Sequence, residues 1–340
     1  MRRFWLFRSN LKSLEYYHQY TNLSQFIKNC HDYYLLFPLW LLQKGYYDEV
    51  TIWRLSDRIK SPIVFDVDGK KFYQRWDVDF THTMQYPQPD ISFFRGGFKE
   101  YDTATRIAPK KFGKKIYLGA GQRINAQWGG KYDIFLMEDD LDLKMNKGTI
   151  PFYKTASPFI FFPMNLDKTW DICWPCNFTQ IKYKGQEFFI KKIAESRKLQ
   201  KLKIVHCGNG PEVGRKLCMK YGVKNIDFVG QKNREELNNI LNCSKFGLNL
   251  SNRHDGCPRV STEILMSGTP LIVHENTRLL SYYKTLGVIE VNDKDITKKI
   301  ISGLKQYEIY KDQVIKAINH NLSFDNINQK NIDLWTNQSV

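Results

Sequence analysis

The sequence predicts an α/β protein, and three observations carry that reading. Short apolar runs alternate with helix-like segments, as in sheets whose strands are joined by crossover helices. The 340 residues suffice for two domains of ordinary size. Residues 246–275 read as a complete strand–helix–strand unit. Phe246 to Leu250 is a short apolar strand, a polar loop with Gly256 and Pro258 follows, and a helix runs from about Val260 to Met266. Gly268 ends that helix, Pro270 prevents its continuation, and Leu271-Ile272-Val273 is a second apolar strand.

Composition bounds the class. Hydrophobic residues at 42% and aromatics at 14% argue for a folded globular chain. The seven cysteines are odd in number and scattered, and no secretory leader precedes them, so reduced thiols in the cytoplasm are expected. Cys173-Trp174-Pro175-Cys176 lies inside an apparent strand. A redox pair sits where a strand gives way to a helix, which argues against a thioredoxin-like role. The longest apolar run, Tyr33 to Leu42, contains Pro38 and is about half the roughly twenty residues a spanning helix needs, so no transmembrane segment is expected. The net charge of +16 is spread over both halves of the chain. It suits a polyanion, whether nucleic acid, anionic membrane or acidic glycan, without choosing among them.

In chain order, Phe4 to Phe7 is a first strand, and Leu23, Phe26 and Ile27 have helical spacing over residues 22–30. Val50 to Leu55, Ile63 to Val67, Ile91 to Phe94, Lys115 to Leu118 and Tyr132 to Met137 are further short strands. Pro151 to Pro163 reads as a last strand and a crossover, with the domain boundary near Leu166.

Several polar groups in this half invite chemistry. Val64-Phe65-Asp66-Val67-Asp68-Gly69 resembles the first motif of haloacid dehalogenase-like phosphatases, which would make Asp66 and Asp68 a magnesium phosphatase pair. That family has Thr or Val where this chain has Lys70. The same Asp-x-Asp resembles the metal motif of GT-A glycosyltransferases, and an ordinary Asp-Gly turn also accounts for it. Glu138-Asp139-Asp140-Leu141-Asp142 reads as a solvated loop, and no metal site is expected. Gly119-Ala120-Gly121-Gln122-Arg123 follows a strand without dinucleotide-fingerprint spacing, leaving Arg123 an acceptor-side candidate. Arg106, Lys110, Lys111, Lys114 and Lys115 form a basic cluster, with Lys110 and Lys111 as the other acceptor-side candidates.

The second half carries a denser pattern. Lys184-Gly185 precedes a helix through Phe188, Phe189 and Ile193. Leu202 to Val205 leads into His206-Cys207-Gly208-Asn209-Gly210-Pro211-Glu212. Ile226 to Val229 with Gly230 precedes Glu235-Glu236-Leu237, and Asp255 stands eight residues before Glu263, ahead of Gly268-Thr269-Pro270. These motifs, in this order, resemble the retaining GT-B glycosyltransferases, especially glycosyltransferase family 4 with its Glu-x7-Glu signature. The resemblance covers residues 171–275. Two departures stand out. Asp255 replaces the first glutamate with a shorter side chain. The arginine that precedes the Lys-Gly lysine is missing, with Asn177 near its place and Lys182 or Arg259 as substitutes.

The resemblance implies two Rossmann-like domains facing across a cleft. Residues 1–165 would form the acceptor domain, 166–320 the nucleotide-sugar domain, and 321–340 a segment packing back on the first domain. It implies transfer of a hexosyl or pentosyl group from a nucleoside diphosphate sugar, with retention and without cofactor or metal. Lys184, Asp255 and Glu263 would be the catalytic set. Gly208, Asn209, Gly210, Gly230, Gln231, Gly256, Cys257, Pro258, Arg259 and Val260 would hold the donor. Charge and the basic cluster lean the acceptor toward modified bases in DNA, as in phage-type DNA glycosyltransferases. A surface polysaccharide or lipid-linked glycan is the alternative. A sugar-nucleotide-binding module with weak catalysis and the magnesium phosphatase on Asp66 and Asp68 stand behind these.

Overall fold

A computed structural model describes residues 1–8, 22–55, 61–78, 80–95, 99–119, 132–145, 148–178, 185–251 and 258–336. The chain divides into two compact units, Met1–Tyr153 with Asn328–Val340, and Lys154–Ile327. The sequence reading puts the boundary near Leu166. The division falls earlier because Lys154 is already tied to the second unit: its N–H donates to Tyr283 Oη at 2.7 Å, and that hydroxyl donates back to its carbonyl at 2.6 Å.

The first unit is built on β1 (Arg3–Arg8), β2 (Glu49–Leu55), β3 (Ile63–Val67), β4 (Lys70–Asp77), β5 (Ile91–Arg95), β6 (Lys114–Gly119), β7 (Ile134–Met137) and β8 (Ile150–Pro151). They form one sheet in the order β3-β4-β2-β1-β5-β6-β7-β8. All neighbours are parallel except the β3–β4 hairpin. That hairpin settles Asp66 and Asp68. Asp68 and Gly69 have φ of 51° and 79°, the pair of positive values that a two-residue hairpin turn needs. Asp66 caps the turn through the Gly69 N–H at 2.9 Å and pairs with Lys71 at 2.5 Å. The two carboxylates are turn chemistry, and the phosphatase reading loses its footing.

Around this sheet stand α1 (Leu23–Asn29), α2 (Tyr33–Gln43), α3 (Lys99–Ile107) and α4 (Asp140–Met145). The apolar run Tyr33 to Leu42 is therefore a helix buried along its whole length, which is why it shows no amphipathic stripe. On the other sheet face, Trp5, Phe7, Trp53, Phe94, Phe112 and Tyr117 form an aromatic core. The last helix, α12 (Phe324–Thr336), contributes Asn328, Asn331 and Trp335 to this unit. Asn331 receives the Tyr153 N–H at 2.9 Å and donates to the Tyr153 carbonyl at 2.8 Å. Trp335 stacks on Phe152 and meets Phe37 edge-on.

The second unit is an all-parallel sheet of β9 (Trp170–Pro175), β10 (Ile204–Cys207), β11 (Ile226–Phe228), β12 (Ser244–Asn249), β13 (Leu271–His274) and β14 (Val288–Val291). Its order is β11-β10-β9-β12-β13-β14. The helices are α5 (Gln186–Glu195), α6 (Pro211–Tyr221), α7 (Arg234–Asn242), α8 (Arg259–Met266), α9 (Ser281–Lys284), α10 (Ile296–Lys305) and α11 (Tyr307–Asn319). Among the described residues no helix is long and apolar enough to cross a membrane.

Replacing Trp335 by alanine is expected to lower the unfolding free energy by about 3–5 kcal/mol, the cost of emptying a large aromatic site. Urea denaturation checks it, and a change under about 1 kcal/mol would mean that the site collapses around the gap.

Candidate functional site

Parallel sheets carry their chemistry at the carboxyl ends of their strands. In the second unit three such ends are laced together. The Gly208 N–H, just past β10, donates to the Gly230 carbonyl past β11 at 2.9 Å. The Asn209 N–H donates to Asn177 Oδ1 past β9 at 2.9 Å, and the Phe178 N–H returns to the Asn209 carbonyl at 2.9 Å. The loop is glycine by necessity. A Cβ on Gly208 would stand 1.9 Å from the Cys176 carbonyl oxygen. Gly208, Asn209, Gly210 and Gly230 are thus brought together, with Gln231 following, and the loop opens directly into the N-terminus of α6. Asn177, near the place of the missing arginine, spends its amide oxygen on this loop.

Beneath the loop, His206 is fully buried at the end of β10, with the Phe178 and Phe228 ring centroids at 4.8 and 5.2 Å. Its Nε2–H donates to the Cys176 carbonyl at 2.8 Å, which fixes the tautomer because that oxygen only accepts. Burial pushes its pKa down to about 4. Cys173 is buried and burial pushes its thiol well up, so it has no thiolate character for a redox role.

The other half of the site is the β12–α8–β13 unit. Asn249 Nδ2 at the end of β12 donates to Ser261 Oγ in the first turn of α8 at 2.8 Å. Pro258 precedes α8 and no side chain caps it, so the amides of Arg259 and Val260 begin the helix at its positive dipole end. Glu263 lies deeper in α8 and is 2% exposed. Its Oε2 accepts from Arg234 Nη1 at 3.1 Å. Its Oε1 stands 3.0 Å from the same nitrogen and 3.4 Å from Arg259 Nε, within ion-pair distance of both, yet receives no hydrogen bond among the described residues. Arg234, the first residue of α7, was not marked by the sequence motifs. It follows Asn233, which forms a capping box with Glu236, and this fixes where α7 starts and so where Arg234 points.

Lys184, Asp255, Gly256, Cys257 and Arg123 lie outside the described residues. Lys110 and Lys111 belong to the first unit, where Lys110 is exposed and Lys111 Nζ donates to the Tyr86 carbonyl. Of their neighbours, Arg106 pairs with Asp102 at 3.0 Å and Lys115 with Asp133 at 3.1 Å. Among the described residues no group of three His, Cys, Asp or Glu side chains is arranged to hold a metal ion.

Residues 180–320 match the family model for glycosyl transferases group 1. Over nearly its full length the chain also superposes on solved transferases of low identity. An α,α-trehalose 6-phosphate synthase from Burkholderia multivorans gives a TM-score of 0.66 at 9% identity, covering 98% of this chain and 95% of that one. HepE of Anabaena, in complex with UDP, gives 0.66 at 8%, covering 99% and 100%. The galactosyltransferase WaaB of the lipopolysaccharide outer core gives 0.64 at 11%, covering 98% of both chains. The chain has the GT-B fold, and its residues 180–320 are similar to glycosyl transferases group 1. No curated protein matches it by sequence. Within residues 180–320, the glycine loop past β10 and the α8 N-terminus are the two described ends at which motif and geometry coincide.

The buried His206 sets a pH limit on this domain. Its folded pKa lies below the usual value near 6.5, so the unfolded chain takes the proton first. Stability is complete above about pH 6.5 and is lost as pH falls toward 4, by about 3 kcal/mol for a shift of this size. Thermal midpoints between pH 7 and 4.5 should fall less steeply in His206→Gln than in wild type. Parallel slopes would mean that His206 does not titrate in this range.

Proposed function

We propose that the protein transfers a glycosyl group from a nucleoside diphosphate sugar to an acceptor, with retention at the anomeric carbon. The observation that carries the reading is Glu263: a buried carboxylate with one oxygen hydrogen-bonded to Arg234 and the other only within ion-pair distance of Arg234 and Arg259, without a hydrogen bond among the described residues, on a helix that no described side chain caps. A buried acceptor left unsatisfied is costly, and a ligand hydroxyl would satisfy it. The group 1 model over residues 180–320 and the UDP held by HepE support the same donor class.

In this reading the nucleotide lies against Gly208 to Pro211 and Val229 to Gln231, and ribose hydroxyls donate to Glu263 Oε1. Lys184 faces the diphosphate, Asp255 the sugar ring, and the backbone from Gly256 to Val260 lines the turn beside them. The acceptor hydroxyl oxygen bonds to the anomeric carbon as the bond from that carbon to the β-phosphate oxygen breaks. The acceptor's proton passes to the departing diphosphate. Negative charge grows on that leaving group, and Lys184 and the α8 N-terminus are the groups that would meet it. Catalysis is electrostatic pre-organisation, with no metal or cofactor in the cycle. Arg234 and Arg259 add positive charge where Asn177 does not, which favours a working transferase over a binding module that has lost catalysis.

The acceptor is anionic in this reading. Modified bases in DNA are one such class, and a surface or lipid-linked glycan is another. The basic cluster that favours DNA is partly spent on Asp102, Asp133 and the Tyr86 carbonyl, which lowers the charge it presents to phosphates. A cytoplasmic setting suits both the donor and the reduced thiols.

Glu263→Ala should weaken UDP binding by about 1–3 kcal/mol, the price of an unmade buried hydrogen bond. Calorimetric titration reads this, and wild-type affinity in the variant would remove Glu263 from the donor site. Lys184→Ala should lower kcat more than it lowers donor affinity, since the charge it meets grows in the transition state. Donor turnover, including slow hydrolysis, should persist in excess chelator. Loss of turnover restored by magnesium would overturn the metal-free mechanism.

A further inference from the structure

The first unit carries a feature that no motif announces. Arg8, Arg54 and Arg95 stand side by side across three adjacent parallel strands: Arg8 is in register with Arg54 on one side and with Arg95 on the other. Strands so paired lie about 4.8 Å apart, and residues in register project to the same face. Like charges placed this way repel one another. Arg54 is 1% exposed and Arg8 8% exposed, so solvent does little to screen them.

Their neighbours compensate this charge unequally. Arg8 is ion-paired with Asp32, the residue that caps α2. Arg54 lies over the Trp76 ring at 5.5 Å and has a further partner besides it. Arg95 lies over the face of Tyr34 at 4.0 Å and makes no hydrogen bond or ion pair among the described residues; its Nε is buried without an acceptor. Tyr34 stands between Arg95 and the buried Glu138, with its ring on the guanidinium and its hydroxyl donating to the carboxylate. Burial also presses the Arg95 pKa below the usual arginine value.

The place matters as much as the charge. From β1 the chain builds outward to β2 and β4 on one side, then returns to add β5, β6 and β7 on the other. Ligands of open parallel sheets bind outside the carboxyl ends of the strands at such a reversal. The reversal falls between β1 and β5, whose last residues are Arg8 and Arg95.

We propose that this carboxyl edge, at Arg8, Arg54 and Arg95, binds the phosphoryl group of a phosphorylated acceptor. A phosphoryl group turns three oxygens toward donors on neighbouring strands at once, whereas a carboxylate fills a single guanidinium fork. The buried setting selects a terminal phosphate over the backbone of a duplex, which is too broad to reach side chains sunk this far. The word acceptor rests on the glycosyl-transfer reading above; the phosphate site rests on the arginine row alone.

The test is a titration of inorganic phosphate at constant ionic strength, with excess UDP occupying the donor site, followed by thermal midpoint. Wild type and Lys110→Ala should be stabilised alike. Arg95→Gln should lose roughly tenfold or more in phosphate affinity while keeping its own UDP shift. Arg95→Lys keeps the charge without the fork, and should fall between the two if the glutamine variant does not fold. No phosphate shift in wild type, or a shift in the Arg95 variants equal to that of wild type, overturns the site. A wild type that ignores UDP but still shows the Arg95-dependent phosphate shift keeps the site and removes the donor reading. Glucose 6-phosphate and vesicles containing phosphatidic acid then compete against phosphate, and the one that does so only with Arg95 intact names a soluble or a lipid source. Duplex DNA binding that ignores Arg95→Gln but weakens in Lys110→Ala, with neither phosphate competitor effective, would assign the acceptor to nucleic acid and overturn the proposal.

Discussion

A parallel sheet covered on both faces leaves one place for polar chemistry, the carboxyl edge, and most features of this chain follow from that constraint. Strand interiors here are apolar almost without break, as in Ile204-Val205 and Leu271-Ile272-Val273. Polar and charged groups gather at the ends instead. β1 and β5 end on arginines, β10 ends on His206 and Cys207 ahead of a glycine loop, β12 ends on Asn249, and β13 ends on His274. At β10 and β12 these ends lie ahead of a helix start, where free N–H groups favour negative charge.

That edge becomes a site only where something holds it still. Burying a carboxylate as deeply as Glu263 costs several kcal/mol unless cations and donors surround it. Arg234 reaches it from α7 and Arg259 from its own helix, while the Asn249–Ser261 bond pins α8 to the end of β12. The helix also lies unusually close to the strand, since a Cβ on Gly247 would come within 2.5 Å of Ile264 Cγ2. The arrangement hydrogen-bonds one carboxylate oxygen and leaves the other in ion pairs without a hydrogen bond among the described residues. A solvated acid on a surface helix would hold neither oxygen in place.

The second unit was legible in the sequence because its signals are local. Gly268 and Pro270 mark the end of α8, the Asn-Arg-Glu-Glu run marks the start of α7, and Gly208 to Pro211 marks the turn into α6. The first unit was less so. Strand β4, Lys-Lys-Phe-Tyr-Gln-Arg-Trp-Asp, carries four charges and is not marked as a strand in the sequence; pairing with β2 and β3 makes it one. Helix α2 is apolar on every side and interrupted by Pro38, so periodicity could not separate it from a strand. Arg234 and the arginine row share a deeper reason. Their meaning lies in which strands and helices become neighbours, and register across β2, β1 and β5 is written in no single stretch of chain.

Charge shows the same division between what composition carries and what position carries. Much of the +16 is surface lysine, and several of these lysines sit in helical pairs such as Lys191–Glu187, Lys232–Glu236 and Lys299–Asp295. Exposed pairs of this kind contribute little, can be gained or lost with little effect on stability, and so say little about a partner. A guanidinium buried beside two others is different. It opposes folding unless something of opposite sign repays the desolvation, and Asp32 is the counter-charge within ion-pair distance of Arg8. The free-energy cost of keeping Arg95 where it stands is what makes it informative, because a half-buried cation at the reversal of the sheet that makes no ion pair among the described residues is held most economically when a ligand supplies the counter-charge.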